Sequence, residues 1–163
     1  MDVVAERKKL KLGALIGGLA TLVTVGGGIV AIIQYIDQNP ADINGMWTLG
    51  TQTEKTSDSR YQNLKLTYEV VFVQNGNSFT GSGEKTVEQD PGKAPIEFVG
   101  TERIHIDITG TIKGKSIHAD FVEHGKDRDS DGAFDWKLQN GTGVGTFSSM
   151  AADSSGSSTL TRH

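Results

Sequence analysis

The residues from Leu12 to Ile36 carry no charge and constrain the chain more than any other feature. As a helix rising about 1.5 Å per residue, this segment would cover about 37 Å, more than the hydrocarbon core of a bilayer, which is about 30 Å thick. We therefore predict one transmembrane helix over 12–36, preceded by a basic segment over 1–11 and followed by a linker over 37–44. The alternative is a secretory signal peptide, but its apolar region is typically only about 7–15 residues long and no A-x-A motif follows here.

Small and hydroxyl residues recur along the predicted helix at spacings of three and four, which places them on one face. They are Gly13, Gly17, Thr21, Thr24, Gly28, Ala31 and Tyr35. Small residues at this spacing let helices approach closely in lipid, so we predict a homo-oligomer that associates through this face. A ring of such helices with Thr21 and Thr24 turned inward would line a pore. The alternative is that glycine is simply frequent in membrane helices.

Charge and composition limit the topology and the partners. Basic residues lie before the predicted helix and the next one after it is Lys55, so the positive-inside rule places the N-terminus in the cytoplasm and the following domain outside. The net charge is -4, with 16 basic and 20 acidic residues, which argues against a broad basic surface for duplex nucleic acid. No cysteine is present, so disulfides, thiolate metal sites and a cysteine nucleophile are excluded.

After residue 44 the sequence has the alternating pattern of strands. Leu64, Leu66, Tyr68, Val70 and Phe72 alternate with polar residues, and Asn-Gly pairs mark hairpin turns. We predict an all-β domain over 45–163, an eight-stranded antiparallel up-and-down barrel, with a β-sandwich as the alternative. The nine segments with strand character, from which we predict about eight strands, are 46–53, 64–72, 78–87, 96–99, 103–112, 116–124, 134–139, 142–149 and 157–162, with loops at 88–95 and 125–132.

Two residues at the ends of this domain resemble a known barrel pattern. Gly45-x-Trp47 opens the first strand and Arg162 lies in the last one. This is similar to the calycin, or lipocalin-type, barrel, in which the tryptophan of an opening G-x-W strand packs against a basic residue of the final strand. The resemblance implies that Arg162 lies over the Trp47 indole, a favourable cation–π contact. The alternative is an ordinary core tryptophan and an exposed terminal arginine.

The layout of a short membrane anchor followed by an eight-stranded barrel also resembles the membrane β-barrel effectors of bacterial anti-phage systems, the CBASS type and the Hailong A effectors. In those families a nucleotidyltransferase makes a nucleotide or oligonucleotide signal, the barrel senses it, and the helices form a membrane-disrupting or channel-forming oligomer. The resemblance implies a single-pass protein of the bacterial inner membrane. CBASS members of this type usually carry two helices, and a cytoplasmic signal requires a topology opposite to the one that the charges predict.

One acidic motif has the spacing of a cation loop. It reads Asp127-x-Asp129-x-Asp131-Gly132-x-x-Asp135. Carboxylates at alternate positions, followed by a glycine that permits a sharp turn, are typical of calcium loops. We therefore predict a structural Ca²⁺ site formed by the four aspartates. The alternative is a solvated acidic turn, because aspartate also favours turns.

The sequence contains no recognisable catalytic set, so we predict that the protein is not an enzyme. Its four histidines lack a ligand spacing, and no nucleophile is paired with a base. For the phosphates of a nucleotide, the candidate binding residues are Arg103, His105, Lys113, Lys115 and His118. For stacking of its base, the candidates are Tyr61, Tyr68 and Trp136. The second hypothesis is an anchored lipocalin-like module outside the membrane that binds an apolar ligand or a protein and is stabilised by calcium.

Overall fold

The computed structural model describes residues 39–100 and 103–163 in full, and the backbone of two strands near the N-terminus. Residues 1–38 and 39–163 form two compact units. In the first unit, β1 (Ala20–Val25) pairs with β2 (Gly28–Ile33) as an antiparallel hairpin. Gly13 and Gly17 lie outside the described residues, and Thr21, Thr24 and Gly28 lie on the hairpin backbone.

The described parts of segment 12–36 are therefore strands, whereas the sequence predicts a helix. Their many Val, Ile and Thr residues favour strands in water, while a bilayer requires backbone groups to be paired within the segment and so favours a helix. Within the described residues, no helix has both the length and the apolar character needed to span a membrane. The membrane anchor stays a prediction from the sequence.

The second unit is a closed antiparallel barrel of eight strands, as predicted. The barrel strands are β3 (Gly45–Lys55), β4 (Lys65–Asn75), β5 (Ser78–Gln89), β7 (His105–Lys113), β8 (Ser116–His124), β9 (Asp129–Gln139), β10 (Thr142–Ser149) and β11 (Ser154–Arg162). Each pairs with its neighbours in chain order, and the pairing of the first, β3, with the last, β11, closes the barrel. A two-residue strand, β6 (Ile96–Glu97), pairs with the end of β5 and is not one of the eight.

The largest difference from the predicted strands is the start of β9. The sequence predicts a loop over 125–132, but the strand already begins at Asp129. Residues Asp129–Ala133 pair with Asp120–His124 of β8, so the ladder continues through an acidic segment. Pairing with a neighbouring strand outweighs the weak strand preference of aspartate and glycine, because that preference depends strongly on context.

One end of the barrel is closed by the segment that enters it. Ala41 N donates to the carbonyl of Gly114 in the β7–β8 turn at 2.8 Å, and Ile43 is fully buried. Trp47, also fully buried, donates its indole N–H to the carbonyl of Ile43 at 2.8 Å. The guanidinium carbon of Arg162 lies 5.2 Å from the centroid of the Trp47 ring, so the predicted contact is present. We call this the closed end.

The opposite end carries the longer connections, 56–64, 90–104, 125–128 and 150–153, and we call it the open end. A β-bulge near this end changes which residues of β5 face inward. Tyr68 pairs with Lys85 and Thr67 with Val87, so Thr86 is an extra residue without a direct partner on β4. As a result Lys85 and Glu88, three positions apart, both face the interior.

Candidate functional site

A cavity of about 500 Å³ lies inside the barrel at the open end, within the usual size range of small-molecule sites. Three phenylalanines of neighbouring strands, Phe121, Phe134 and Phe147, form one wall, which we call the aromatic wall. Their rings contact one another, with centroids 4.6 Å apart for Phe121 and Phe134 and 6.5 Å apart for Phe134 and Phe147. Leu64, Leu66 and Ile104 add further apolar surface. The cavity therefore offers a ligand flat and apolar contacts.

A buried lysine faces the same cavity. Lys85 continues the inward series Phe79, Gly81 and Gly83 of β5, and only 4% of it is exposed. Its ammonium nitrogen lies 3.1 Å from Oε1 of Glu123 and 3.6 Å from Oε2 of Glu88. The alternation of β5 therefore places the ammonium charge of Lys85 inside the barrel, where the carboxylates of Glu123 and Glu88 stabilise it.

Tyr68 completes this polar cluster. Its hydroxyl donates a hydrogen bond to Oε2 of Glu123, and Lys85 Nζ lies 5.8 Å from the centroid of its ring. Burial, and then the nearby Glu123 carboxylate, raise the pKa of Tyr68 well above its usual value. The phenol is therefore fixed as a donor at all physiological pH values. We call Tyr68, Lys85, Glu88 and Glu123 the polar cluster.

The rim of the cavity carries more positive than negative charge, in contrast to the polar cluster. The β8–β9 connection contributes Lys126, Asp127 and Arg128, all exposed, and Tyr61 lies at the rim from the connection after β3. Among the described residues, neither Lys126 nor Arg128 forms a salt bridge. The polar cluster has one cation and two carboxylates, whereas this rim loop has two cations and one carboxylate. The cavity is therefore more negative inside and more positive at its entrance.

The five residues predicted to bind phosphate do not come together. Arg103 pairs with Glu84 at 3.0 Å beside the open end, whereas Lys113 and Lys115 flank the β7–β8 turn at the closed end. His105 and His118 are on the outer face of the barrel, where each is within hydrogen-bond distance of an aspartate. Each of these two histidine rings therefore has a carboxylate partner on the outer face. None of the five predicted residues lines the cavity.

The three aromatic residues predicted to stack on a base fall in two places. Tyr61 and Tyr68 line the cavity. Trp136 is buried in the core, where its indole N–H donates to the hydroxyl of Ser158 at 3.0 Å. Sequence reasoning missed Lys85, Glu88 and Glu123. The alternation of buried and exposed residues along β5 and β8 could have identified Lys85 and Glu123, because each occupies the next inward position of its strand. Glu88 faces inward only because of the bulge, which the sequence does not indicate.

The four aspartates predicted to bind calcium lie along an extended backbone. Asp129, Asp131 and Asp135 occupy alternate positions of β9 with their side chains exposed, and Asp127 lies in the connection before it. Among residues 39–100 and 103–163, no three Asp, Glu, His or Cys side chains are grouped closely enough to hold a metal ion. Asp129 and Asp135 instead lie 3.1 Å and 2.7 Å from ring nitrogens of His124 and His118. Calcium binding stays a prediction from the sequence.

The outer face of β7, β8 and β9 carries a histidine–aspartate network. His105 and His124 stack with ring centroids 5.8 Å apart, and Asp107 lies within 3.2 Å of both rings. Hydrogen bonds to the carboxylates of Asp107 and Asp129 raise the pKa of His124 above its usual value. Hydrogen bonds with His124 and then His105 lower the pKa of Asp107. Because the network is exposed, we interpret it as a surface stabilising feature.

No protein-family model and no curated protein matches this sequence. What the barrel binds is therefore inferred from the chemistry of its cavity.

The polar cluster yields a prediction for stability. Lys85→Met should lower the free energy of unfolding by about 1–3 kcal/mol, because it leaves the half-buried Glu123 carboxylate without its cation. Adding Glu123→Gln should recover part of that loss, since Gln still accepts from Tyr68 and carries no charge. Lys137→Met, on the exposed face of β9, is the matched control and should change stability by less than about 0.5 kcal/mol. Denaturation followed by tryptophan fluorescence measures all four proteins; a double variant that is less stable than Lys85→Met would contradict the pairing.

The histidine–aspartate network yields a prediction for pH dependence. The raised pKa of His124 contributes stability below its unfolded value, near 6.5, and this is lost as the pH rises through the folded value. The lowered pKa of Asp107 contributes stability above 3.8, which is lost as the pH falls through the folded value. The contribution of the network should therefore be largest between about pH 4 and 6.5. His124→Gln should lower the melting temperature within that window and reduce its fall as the pH rises above about 6.5. An unchanged profile would refute the assignment.

Proposed function

We propose that the protein is the membrane-anchored, oligomeric effector of a bacterial anti-phage system, and that its barrel senses a nucleotide-type signal in the open-end cavity. The observation that carries the proposal is the cavity's combination of an aromatic wall, a buried polar cluster and a cationic rim. A nucleotide needs these three elements: a surface on which its base stacks, polar groups for the base edge, and cations for its phosphate.

The size of the cavity supports one nucleotide unit inside the barrel. A site of about 500 Å³ matches a ligand of small-molecule size. A longer oligonucleotide would place one base inside and let its backbone continue across the rim, past Lys126 and Arg128. The overall acidic charge does not oppose this arrangement, because a few local cations suffice for one or two phosphates.

The predicted membrane helix supplies the effector part of the proposal. The small-residue face over Gly13, Gly17, Thr21, Thr24 and Gly28 would hold several copies together in lipid, and the signal would set whether the assembled helices conduct or disrupt the membrane. This part rests on the sequence and on the resemblance to the anti-phage effectors.

A second candidate function is favoured by the apolar lining of the same cavity. The aromatic wall, together with Leu64 and Leu66, would suit a small apolar ligand, as in a lipocalin-type module displayed outside the membrane. The buried ammonium and the half-buried carboxylates weigh against it, because an apolar ligand would cover these groups without giving them new partners.

The binding site is tested by charge reversal at the rim. With the full chain in detergent micelles, Lys126→Glu combined with Arg128→Glu should weaken binding of guanosine or adenosine monophosphate by about tenfold or more, because each cation contributes a charge-assisted contact to phosphate. Lys137→Glu is the matched control on the outer face and should leave affinity unchanged. Titration calorimetry measures the three proteins. Loss of binding on Lys113→Glu or Lys115→Glu, with none at the rim, would move the site to the closed end.

The side of the membrane separates the two candidate functions. A C-terminal fluorescent protein that folds only in the cytoplasm should be bright, and an alkaline phosphatase fusion that works only outside should be inactive, because a cytoplasmic signal must reach the barrel. The opposite pair of results would follow the positive-inside rule, exclude a cytoplasmic signal and leave the lipocalin-like module.

A further inference from the structure

We infer that the polar cluster reads the base edge of a guanine-type ligand, with Glu88 accepting two adjacent N–H groups and Lys85 donating to the neighbouring carbonyl oxygen. This inference rests on the proposed function, since it names the base that the cavity selects. It adds a specificity determinant, Glu88, that lies on no motif of the sequence and reaches the cavity through the bulge at Thr86.

The partners of the two carboxylates distinguish their roles. Glu123 uses Oε1 for Lys85 and Oε2 for Tyr68, so both of its oxygens are engaged. Glu88 contacts Lys85 at 3.6 Å, which is an ion pair but too long for a hydrogen bond. Its carboxylate is more exposed than that of Glu123, with 31% of its side chain accessible against 16%. Glu123 therefore positions Lys85, and Glu88 is the acceptor available to a ligand.

The available groups define an ordered pattern of two acceptors and one donor. A carboxylate offers two oxygens side by side, and the ammonium of Lys85 beside it offers N–H groups, one of which is already directed to Glu123. The complementary edge has two adjacent donors followed by an acceptor. Guanine presents this edge with its N1–H, its 2-amino group and its O6 atom. Hypoxanthine lacks the 2-amino donor. Adenine lacks both donors and has an amino group in place of O6. Neither base can therefore pair with both carboxylate oxygens through this edge.

The charges of the cavity also orient the ligand. The polar cluster favours donor-rich groups, whereas Lys126 and Arg128 at the rim favour phosphate. A base that enters first would lie between the aromatic wall and the polar cluster, with its phosphate at the entrance. Base stacking and phosphate contacts contribute affinity that is common to all nucleotides. The contacts with Glu88 account for the difference in affinity between guanine and other bases.

Calorimetric titration of the full chain in detergent micelles with guanosine, inosine and adenosine monophosphates tests the inference. Guanosine monophosphate should bind at least about tenfold more tightly than inosine monophosphate, because the two differ only in the 2-amino group. Glu88→Gln should reduce that ratio to within about threefold, since its amide offers one acceptor instead of two. Glu69→Gln, the same change on the outer face of β4, is the control and should preserve the ratio.

The outcomes separate the inference from the proposed function. Equal affinity for guanosine and inosine monophosphates in the wild-type chain would overturn the reading by Glu88 and leave nucleotide binding in place. An unchanged preference in Glu88→Gln would do the same. No binding of any of the three nucleotides at millimolar concentration, in a protein whose melting temperature is normal, would overturn the proposed function itself.

Discussion

The pairing of Lys85 with Glu123 inside the barrel is the interaction on which the candidate site depends. The ammonium group of a lysine that is only 4% exposed requires charged or hydrogen-bonding partners. Those partners come from β4, β5 and β8, so the cluster joins strands that are distant in sequence. It also gives the cavity a polar region beside the aromatic wall, and the proposed nucleotide ligand depends on this combination.

The two ends of the barrel differ in the side chains that occupy the interior. At the closed end, Ile43 and Trp47 fill the interior, and the exposed Arg162 of the last strand lies over the Trp47 ring of the first. At the open end the strands are joined by longer connections, and polar side chains replace core residues. Residues 39–44 precede the first barrel strand at the closed end, opposite to the cavity entrance.

Much of the fold could be predicted from the sequence, because hairpin turns and alternating residues define antiparallel neighbours locally. Thr142–Ser149 and Ser116–His124 match their predicted bounds. The site was less predictable. The charges of Lys113 and His118 favour phosphate contacts, but strand alternation places both side chains on the outer face, where His118 lies within hydrogen-bond distance of Asp135. Glu88 needed a bulge, a feature of pairing between strands that the sequence of β5 alone does not reveal.

Hydrogen–deuterium exchange of the full chain in detergent micelles, with and without saturating guanosine monophosphate, tests most directly whether the open-end cavity is the binding site. The nucleotide should slow exchange in the start of β4, the end of β5, the end of β8 and the 125–128 connection, and leave the β7–β8 turn at Lys113–Lys115 unchanged. Protection of that turn, or of no segment lining the cavity, would contradict the account.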